Sequence, residues 1–280
     1  MNFSCVREKI ANAVASAERF TGKNITLPIL GNILVEFQNN KLRITATNLE
    51  HAIQIDIKGD GEGIGSIAIP AKILNSFLQS LKEDIVYFEG VSGGILIKTK
   101  LHETKIHGIT TQDFPLIPKV KKVKEFLIPA MEMSLGVQKL LPAVSQSEFK
   151  PELCGVLWRV SPTSLRLVAT DTFRLAEKTI FYQKKNEWGT FSFILPARSA
   201  AEISRVFGGG GDVRVTLDDN QVMFISNDVL VVSRLIEGKF PDYDMIIPKT
   251  HEISCRVSRQ DIHDSVRASS IFASKIQDVS

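Results

Sequence analysis

Moved forward by 123 positions, Pro28, Leu30, Leu34, Leu42, Arg43, Ala46 and Thr47 fall without a gap on Pro151, Leu153, Leu157, Leu165, Arg166, Ala169 and Thr170. Further along the offset becomes 126: Pro70-Ala71 recurs as Pro196-Ala197, and Phe114-Pro115 as Phe240-Pro241. Self-similarity at a long fixed spacing constrains a chain more than any local pattern, because each copy must adopt the same supersecondary unit. A third copy starts near the end, where Ser258-Arg259-Gln260-Asp261-Ile262 with Val266 and Phe272 resembles the opening helix. Ile10 to Ile262 is 252 positions, twice 126. On that period the third copy needs roughly ninety residues beyond Ser280, so a truncated third copy is expected. The expected domains are residues 1–120, 121–248 and 249–280, the last an N-terminal part only.

Within the first copy, Val6, Ile10, Ala13, Val14, Ala17 and Phe20 recur at steps of three and four, which predicts a helix over Val6 to Phe20. Alternating runs predict strands at Ile33–Phe37, Lys41–Thr45 and Ala52–Ile57, with Asn39-Asn40 as the first turn. A glycine-rich turn over Gly61–Gly65 leads to a strand at Ser66–Ile69. Pro70-Ala71 then opens a second helix, with Ile73, Leu74, Phe77, Leu78 and Leu81 on its buried face. Strands at Ile85–Glu89, Gly94–Lys98 and Lys105–Ile109 complete the unit. The second copy repeats the order, with a helix expected over Val137–Phe149, a hairpin at Val156–Val160 and Leu165–Ala169, and a helix from Pro196-Ala197. The fold class is therefore α+β: tandem copies of a helix-and-antiparallel-sheet module, two complete and one begun. Sheets of that kind have edges to cover, and like modules set edge to edge continue one sheet into the next.

Charge is nearly balanced, with 34 Lys+Arg against 31 Asp+Glu, so any polyanion contact must come from placement rather than bulk charge. In the second helix of each copy, Lys72 corresponds to Arg198 and Gln79 to Arg205. Residues seven apart share a helix face, here one away from the apolar stripe. These cations, with Arg7, Arg19, Lys23, Lys139, Arg259 and Arg267 as weaker members of the set, are candidate contacts to phosphates, which need no sequence reading. Cys5, Cys154 and Cys255 are isolated among apolar neighbours and read as small buried hydrophobes in a reducing compartment. No apolar run is long enough to span a bilayer and no basic-then-apolar leader is present, so a cytoplasmic address is expected.

Other signals point nowhere. Gly208–Gly211 lacks a following Gly-Lys-Ser/Thr, and His102-Glu103 with His107 has the wrong spacing for a zinc helix. Asn24-Ile25-Thr26 matches a glycosylation acceptor without any sign of secretion. Asp171 has no acid, histidine or metal-ligating partner nearby in sequence, and a turn-capping role suits it. No catalytic residue, metal ligand or cofactor is assigned.

The motifs LPILGNILVEF (Leu27 to Phe37), LRITATNLE (Leu42 to Glu50), TTQDFP (Thr110 to Pro115), LRLVATDTFRLA (Leu165 to Ala176) and LIEGKFPDYDMIIPK (Leu235 to Lys249) resemble those of the bacterial sliding clamps, the beta subunits of DNA polymerase III. The resemblance runs the length of the chain in order. It implies the DNA clamp fold and a head-to-tail homodimer of three-domain subunits, closing a six-module ring around duplex DNA with helices lining the hole. It implies a non-catalytic processivity factor whose partners are double-stranded DNA, the polymerase III catalytic subunit, the clamp loader and other proteins carrying clamp-binding peptides. By the same resemblance those peptides dock at Leu153, Thr170, Thr172, Arg174, Leu175, Pro241, Met245 and Ile246, and the dimer interface joins Thr104 and Ile106 to Ile271 and Phe272. The family's ATDGHRL-like run reads ATDTFRL here, with Thr172 for the usual glycine and Phe173 for the usual histidine, which puts pocket shape in question. Two rival readings are a hydrolase or transferase with a site near Asp171 and Asp242, and a repeat-built interaction protein that never touches DNA.

Overall fold

The computed structural model describes residues 2–22, 26–38, 40–118, 120–121, 123–147, 149–182, 189–248, 250 and 252–273. Lys23, Asn24, Ile25, Asn39 and Lys249, named above, lie outside them. The chain divides into a unit Met1–Phe240 and a second, Pro241–Ser280. Among the described residues no helix is long and apolar enough to cross a membrane.

The first copy runs β1 (Asn2–Val6), α1 (Arg7–Glu18), β2 (Asn32–Gln38), β3 (Lys41–Thr47), β4 (His51–Lys58), β5 (Asp60–Glu62), β6 (Gly65–Pro70), α2 (Ala71–Ser80), β7 (Ile85–Val91), β8 (Gly94–Lys98) and β9 (Glu103–His107). The second runs β10 (Lys124–Pro129), α3 (Ala130–Leu140), β11 (Gly155–Val160), β12 (Ser164–Thr170), β13 (Leu175–Phe181), β14 (Phe191–Pro196), α4 (Ala197–Val206), β15 (Asp212–Leu217), β16 (Gln221–Ser226) and β17 (Val229–Arg234). Apart from β5 the order is identical. The second unit carries α5 (Arg259–Ser270), capped by Ser258, whose hydroxyl accepts from the Asp261 amide.

Several expectations are corrected: Ile73 of α2 is exposed rather than on the buried face, and of the three cysteines read as buried hydrophobes Cys5 alone is buried. The helix read as starting at Val6 starts at Arg7, and β1 precedes it with no turn residue between. The stretch read as a turn around Gly61 contains β5, held against β1 so closely that a Cβ on Gly61 would lie 2.3 Å from the Asn2 carbonyl oxygen. The helix expected at Val137–Phe149 is α3, which ends at Leu140 and tightens into a 3-10 turn over Leu141–Ala143. Pro142 would clash with the carbonyl four residues back, while Pro129, just before α3, needs no helical N–H. At the 123 offset the buried residues of α1, namely Ile10, Ala11, Ala13, Val14 and Ala17, fall on Met133, Ser134, Gly136, Val137 and Leu140, all buried in α3. Burial thus repeats even where residue identity does not. Of the cysteines, Cys5 is buried, its thiol pushed up to about 12 by that burial. Cys154 is half-buried, with Sγ 3.2 Å from the Ser147 carbonyl, and Cys255 is exposed.

Every strand pairing is antiparallel. The sheets are β5-β1-β7-β8-β9, β13-β12-β11-β14, and an eight-stranded sheet β10-β15-β16-β17-β4-β3-β2-β6 holding four strands of each copy. The copies join where β17 pairs with β4, from Val229 opposite Ile55 to Ser233 opposite His51. Helix pairs α1/α2 and α3/α4 pack on the sheets over apolar cores. In the second copy the fully buried Trp158 stacks on Phe193 at 5.5 Å and meets the ring of Phe224 at 5.6 Å. Burying a side chain of this size stabilises by about 2–3 kcal/mol.

The loop between the third and fourth strands of each copy, β3 to β4 and β12 to β13, repeats bond for bond. Thr47 Oγ1 donates to the His51 carbonyl and accepts from the Leu49 amide, while Asn48 Oδ1 accepts from the Glu50 and His51 amides. In the second copy Thr170 Oγ1 donates to the Arg174 carbonyl and accepts from the Thr172 amide, while Asp171 Oδ1 accepts from the Phe173 and Arg174 amides. Both turns force a non-glycine residue to positive φ, Leu49 at 76° and Thr172 at 78°.

A polar cluster is buried at the join. His51 of β4 is 2% exposed, its Nδ1 lies 3.0 Å from Ser199 Oγ of α4, and its ring meets Phe20 edge-on at 4.8 Å. Ser199 Oγ also accepts from Ser233 Oγ of β17 at 2.8 Å. Burial, helped by the nearby Arg198 charge, lowers the His51 pKa to about 4.

Two outcomes follow. His51 is neutral in the fold but protonates near its ordinary value of 6.5 when unfolded, so its contribution is full above pH 6.5 and is lost as pH falls toward 4. Urea unfolding at pH 7 and at pH 4.5 should show wild type losing about 2.5 kcal/mol more than His51→Gln; parallel losses would contradict the assignment. Thr172→Gly should stabilise by up to about 1 kcal/mol, the left-handed cost outweighing glycine's entropy. Destabilisation in the same titration would show that the turn is not strained.

Candidate nucleic-acid interface and partner site

Two helices open in the same way. In α2 and α4, Pro-Ala is followed by a cation in the second helical position, Lys72 and Arg198. Both are exposed, and neither has an ion-pair partner among the described residues. A positive charge in the first turn opposes the helix dipole at a cost of about 0.3–1 kcal/mol, so these two residues are placed against their local electrostatics. An anion bound there would reverse the sign of that term.

The other sequence-predicted cations differ from these two. Arg205, exposed in the last turn of α4, is ion-paired to Glu202 on the same helix. Arg19, one residue beyond α1, has its Nε 3.2 Å from the other oxygen of the same carboxylate. Lys139 is exposed in the last turn of α3, where the dipole favours it. Arg7 is half-buried, with a buried Nε lacking a hydrogen-bond partner among the described residues. Lys23 is outside the described residues. Arg259 and Arg267 are exposed on α5, in the second unit.

Sequence reasoning looked for cations and missed the acid that organises two of them. Glu202 is 8% exposed. The available signal was its spacing of three from Arg205 in a helix, where such pairs face each other. Lys9, exposed on α1, was also missed; with Asn12, Ser16, Asp56 and Asp228 it lines a concavity of about 370 Å³ at the join between the copies.

Of the residues assigned to peptide docking, the structure gathers Thr170, Thr172, Arg174 and Leu175 on the turn leading into β13. Thr170 is buried and the other three are exposed. Leu153, at the end of a 3-10 turn, is 1% exposed. Pro241, Met245 and Ile246 belong to the second unit, where all three are exposed, Met245 at 86%. Phe173, at the tip of the turn, is 95% exposed. Both carboxylate oxygens of Asp171 are engaged, Oδ1 by two amides and Oδ2 by Nε and Nη2 of Arg174 at 3.0 and 2.9 Å. Partial burial pushes this carboxyl up, but the Arg174 amide and guanidinium with the Phe173 amide hold it below the ordinary range. Asp171 therefore caps the turn.

The interface residues also find places. Thr104 and Ile106 lie on β9, the terminal strand of the five-stranded sheet. In the second copy β13 terminates the four-stranded sheet. By the repeat, β9 corresponds to β17 and β13 to β4, the very strands that pair where the two copies join. Among the described residues each of these terminal strands thus matches one side of the joint between the copies. Ile271 and Phe272 are exposed just beyond α5, in the second unit.

Comparison with known proteins agrees with this arrangement. Residues 1–118 match the family model of the DNA polymerase III beta subunit N-terminal domain, and residues 127–242 match that of its central domain. The beta sliding clamp of Synechocystis is 30% identical over 295 residues, an alignment covering 98% of this chain and 75% of the relative. The crystal structure of the DNA polymerase III beta subunit of Thermotoga maritima superposes with a TM-score of 0.88 at 25% identity, over 96% of this chain and 74% of that one. The Pseudomonas aeruginosa sliding clamp, at 24% identity, shares the fold with a TM-score of 0.91, over 99% of this chain and 76% of its own. With its duplicated modules, their joined sheet and these matches, the chain belongs to the family of beta sliding clamps, the beta subunits of DNA polymerase III.

Proposed function

We propose that this protein is a DNA sliding clamp: a cytoplasmic, non-catalytic tether that encircles duplex DNA and holds the replicative polymerase on it. The observation that carries the DNA-facing surface is the exposed cation repeated in the first turn of α2 and α4, Lys72 and Arg198, without an ion-pair partner among the described residues and at a helix end where a bound anion offsets the dipole cost. Mobile Lys and Arg side chains on phosphates give a hold that is independent of base sequence and weak enough per contact to slide.

Closure of the ring uses the joint between β17 and β4 again. An edge equivalent to β4 is offered by β13 and an edge equivalent to β17 by β9, so a third module and a second subunit extend the same ladder, with Thr104 and Ile106 at the subunit boundary facing Ile271 and Phe272. Partner peptides of the polymerase and the clamp loader dock at Leu153, Thr170, Thr172, Arg174 and Leu175; Pro241, Met245 and Ile246, in the second unit, are further candidates for peptide contact. The rigid turn presents Thr172 and Arg174 as polar contacts beside apolar side chains, the composition of a peptide groove. Exposed Phe173 adds an aromatic anchor at its lip.

Combined Lys72→Glu, Arg198→Glu and Arg205→Glu should weaken binding to short duplexes by at least about tenfold at low salt, equally for unrelated base sequences. Fluorescence anisotropy reads this directly. Affinity unchanged by the triple reversal would remove these helices from the DNA-facing surface.

A further inference from the structure

Glu202 is a carboxylate that the DNA-facing reading does not use, yet it touches two of the cations that reading names. One of its oxygens accepts from Nη1 of Arg205 and the other lies 3.2 Å from Nε of Arg19, so a single negative charge faces two guanidinium groups. The acid is nearly enclosed, its side chain 11% exposed, whereas those of Arg19 and Arg205 are 42% and 55% exposed. The cations therefore present their outer faces to solvent while their inner faces meet the carboxylate, Arg205 through a hydrogen bond and Arg19 through ion pairing alone, since Oε2 has no hydrogen-bond partner among the described residues.

The repeat shows that the acid is not there for module packing. At the 126 offset Glu202 and Arg205 correspond to Ser76 and Gln79, so acid and cation enter the second copy together. Arg19 comes from the first copy, just after α1, and Glu202 thus gathers cations from both copies at the join. A cation held by a carboxylate must give up part of that pairing before it neutralises a phosphate, and it therefore releases fewer of the counterions condensed on the duplex.

We propose that Glu202 is a positioning residue that sets how strongly this surface grips polyanionic duplex: it aligns Arg19 and Arg205 toward the backbone and at the same time competes with phosphate for them. The proposal rests on the DNA-facing reading above and deepens it. Lys72 and Arg198 supply unopposed charge, and the Glu202 group supplies charge held in reserve, which keeps the duplex attracted but mobile.

The test is the salt dependence of duplex binding by this chain. Glu202→Gln keeps a hydrogen-bonding group of the same size and removes the charge, so the slope of log affinity against log salt should steepen by about 0.9 for each cation released, up to about 1.8. Adding Arg205→Gln to that variant should return about half of the gain. In the wild-type background, where Arg205 is held, Arg205→Gln should change the slope by less than Lys72→Gln does, a comparison that needs no change at Glu202. A steeper slope in Glu202→Gln supports the role, and a slope that stays level or flattens overturns it, leaving Glu202 as a structural staple. Lys72→Gln separates the two levels: no effect there overturns the DNA-facing reading itself, while a normal effect there with an unchanged Glu202→Gln slope overturns only the role given to Glu202.

Discussion

Five residue pairs between β17 and β4 turn two modules into one body. The backbone ladder is extended at its ends by the Asp56 amide donating to the Asp228 carbonyl and the Arg234 amide donating to the Glu50 carbonyl, both at 2.9 Å. Antiparallel pairing fixes register strictly when one face is buried, because a slip of one residue would turn every side chain to the wrong side. Here a slip would carry His51 away from Ser199 and Ile53 and Ile55 out of the core. The same register brings the end of α1 beside α4, which is how Arg19 reaches Glu202. Helix placement, buried polar cluster and shared carboxylate all follow from one strand pair.

The joint also shows how one copy of the module extends the sheet of the next. A sheet edge is a row of unsatisfied donors and acceptors, and this chain satisfies one such row with a copy of itself. Among the described residues β9 and β13 each end a sheet, and by the repeat they correspond to the two strands of that joint. The helices α2 and α4 carry the exposed cations Lys72 and Arg198, and the turns after β3 and β12 are closed by the same four hydrogen bonds.

Much of this was legible in the sequence, for reasons that individual elements make plain. The helices α2 and α4 announce themselves through Pro-Ala at the start and apolar residues at three and four residue steps, and the strands from β2 to β4 through alternation bounded by turns. By contrast β1 runs straight into α1 and β10 into α3, with no turn residue to separate a period of two from a period of 3.6. The misplacement of α3 came from Leu141 and Val144, which prolong the apolar pattern past Pro142. Residue identity also hides equivalence that burial reveals, as with Ala11 and Ser134. The candidate site was legible for its free cations, since a repeated position draws attention to itself. Glu202 was not, because one carboxylate among cations has no period; only the fold shows that Arg19, 183 positions earlier, lies against it.

The central claim is that the join between the copies is a full part of the core rather than a contact between independent domains. Native-state hydrogen exchange of the β4 and β17 amides tests it most directly. The account predicts that the protected amides of Ala52 to Ile55 and Val229 to Ser233 exchange only through global unfolding, at the same free energy as those of β3 and β16. Exchange of these amides through a separate, lower-energy opening, with β3 and β16 still protected, would contradict it.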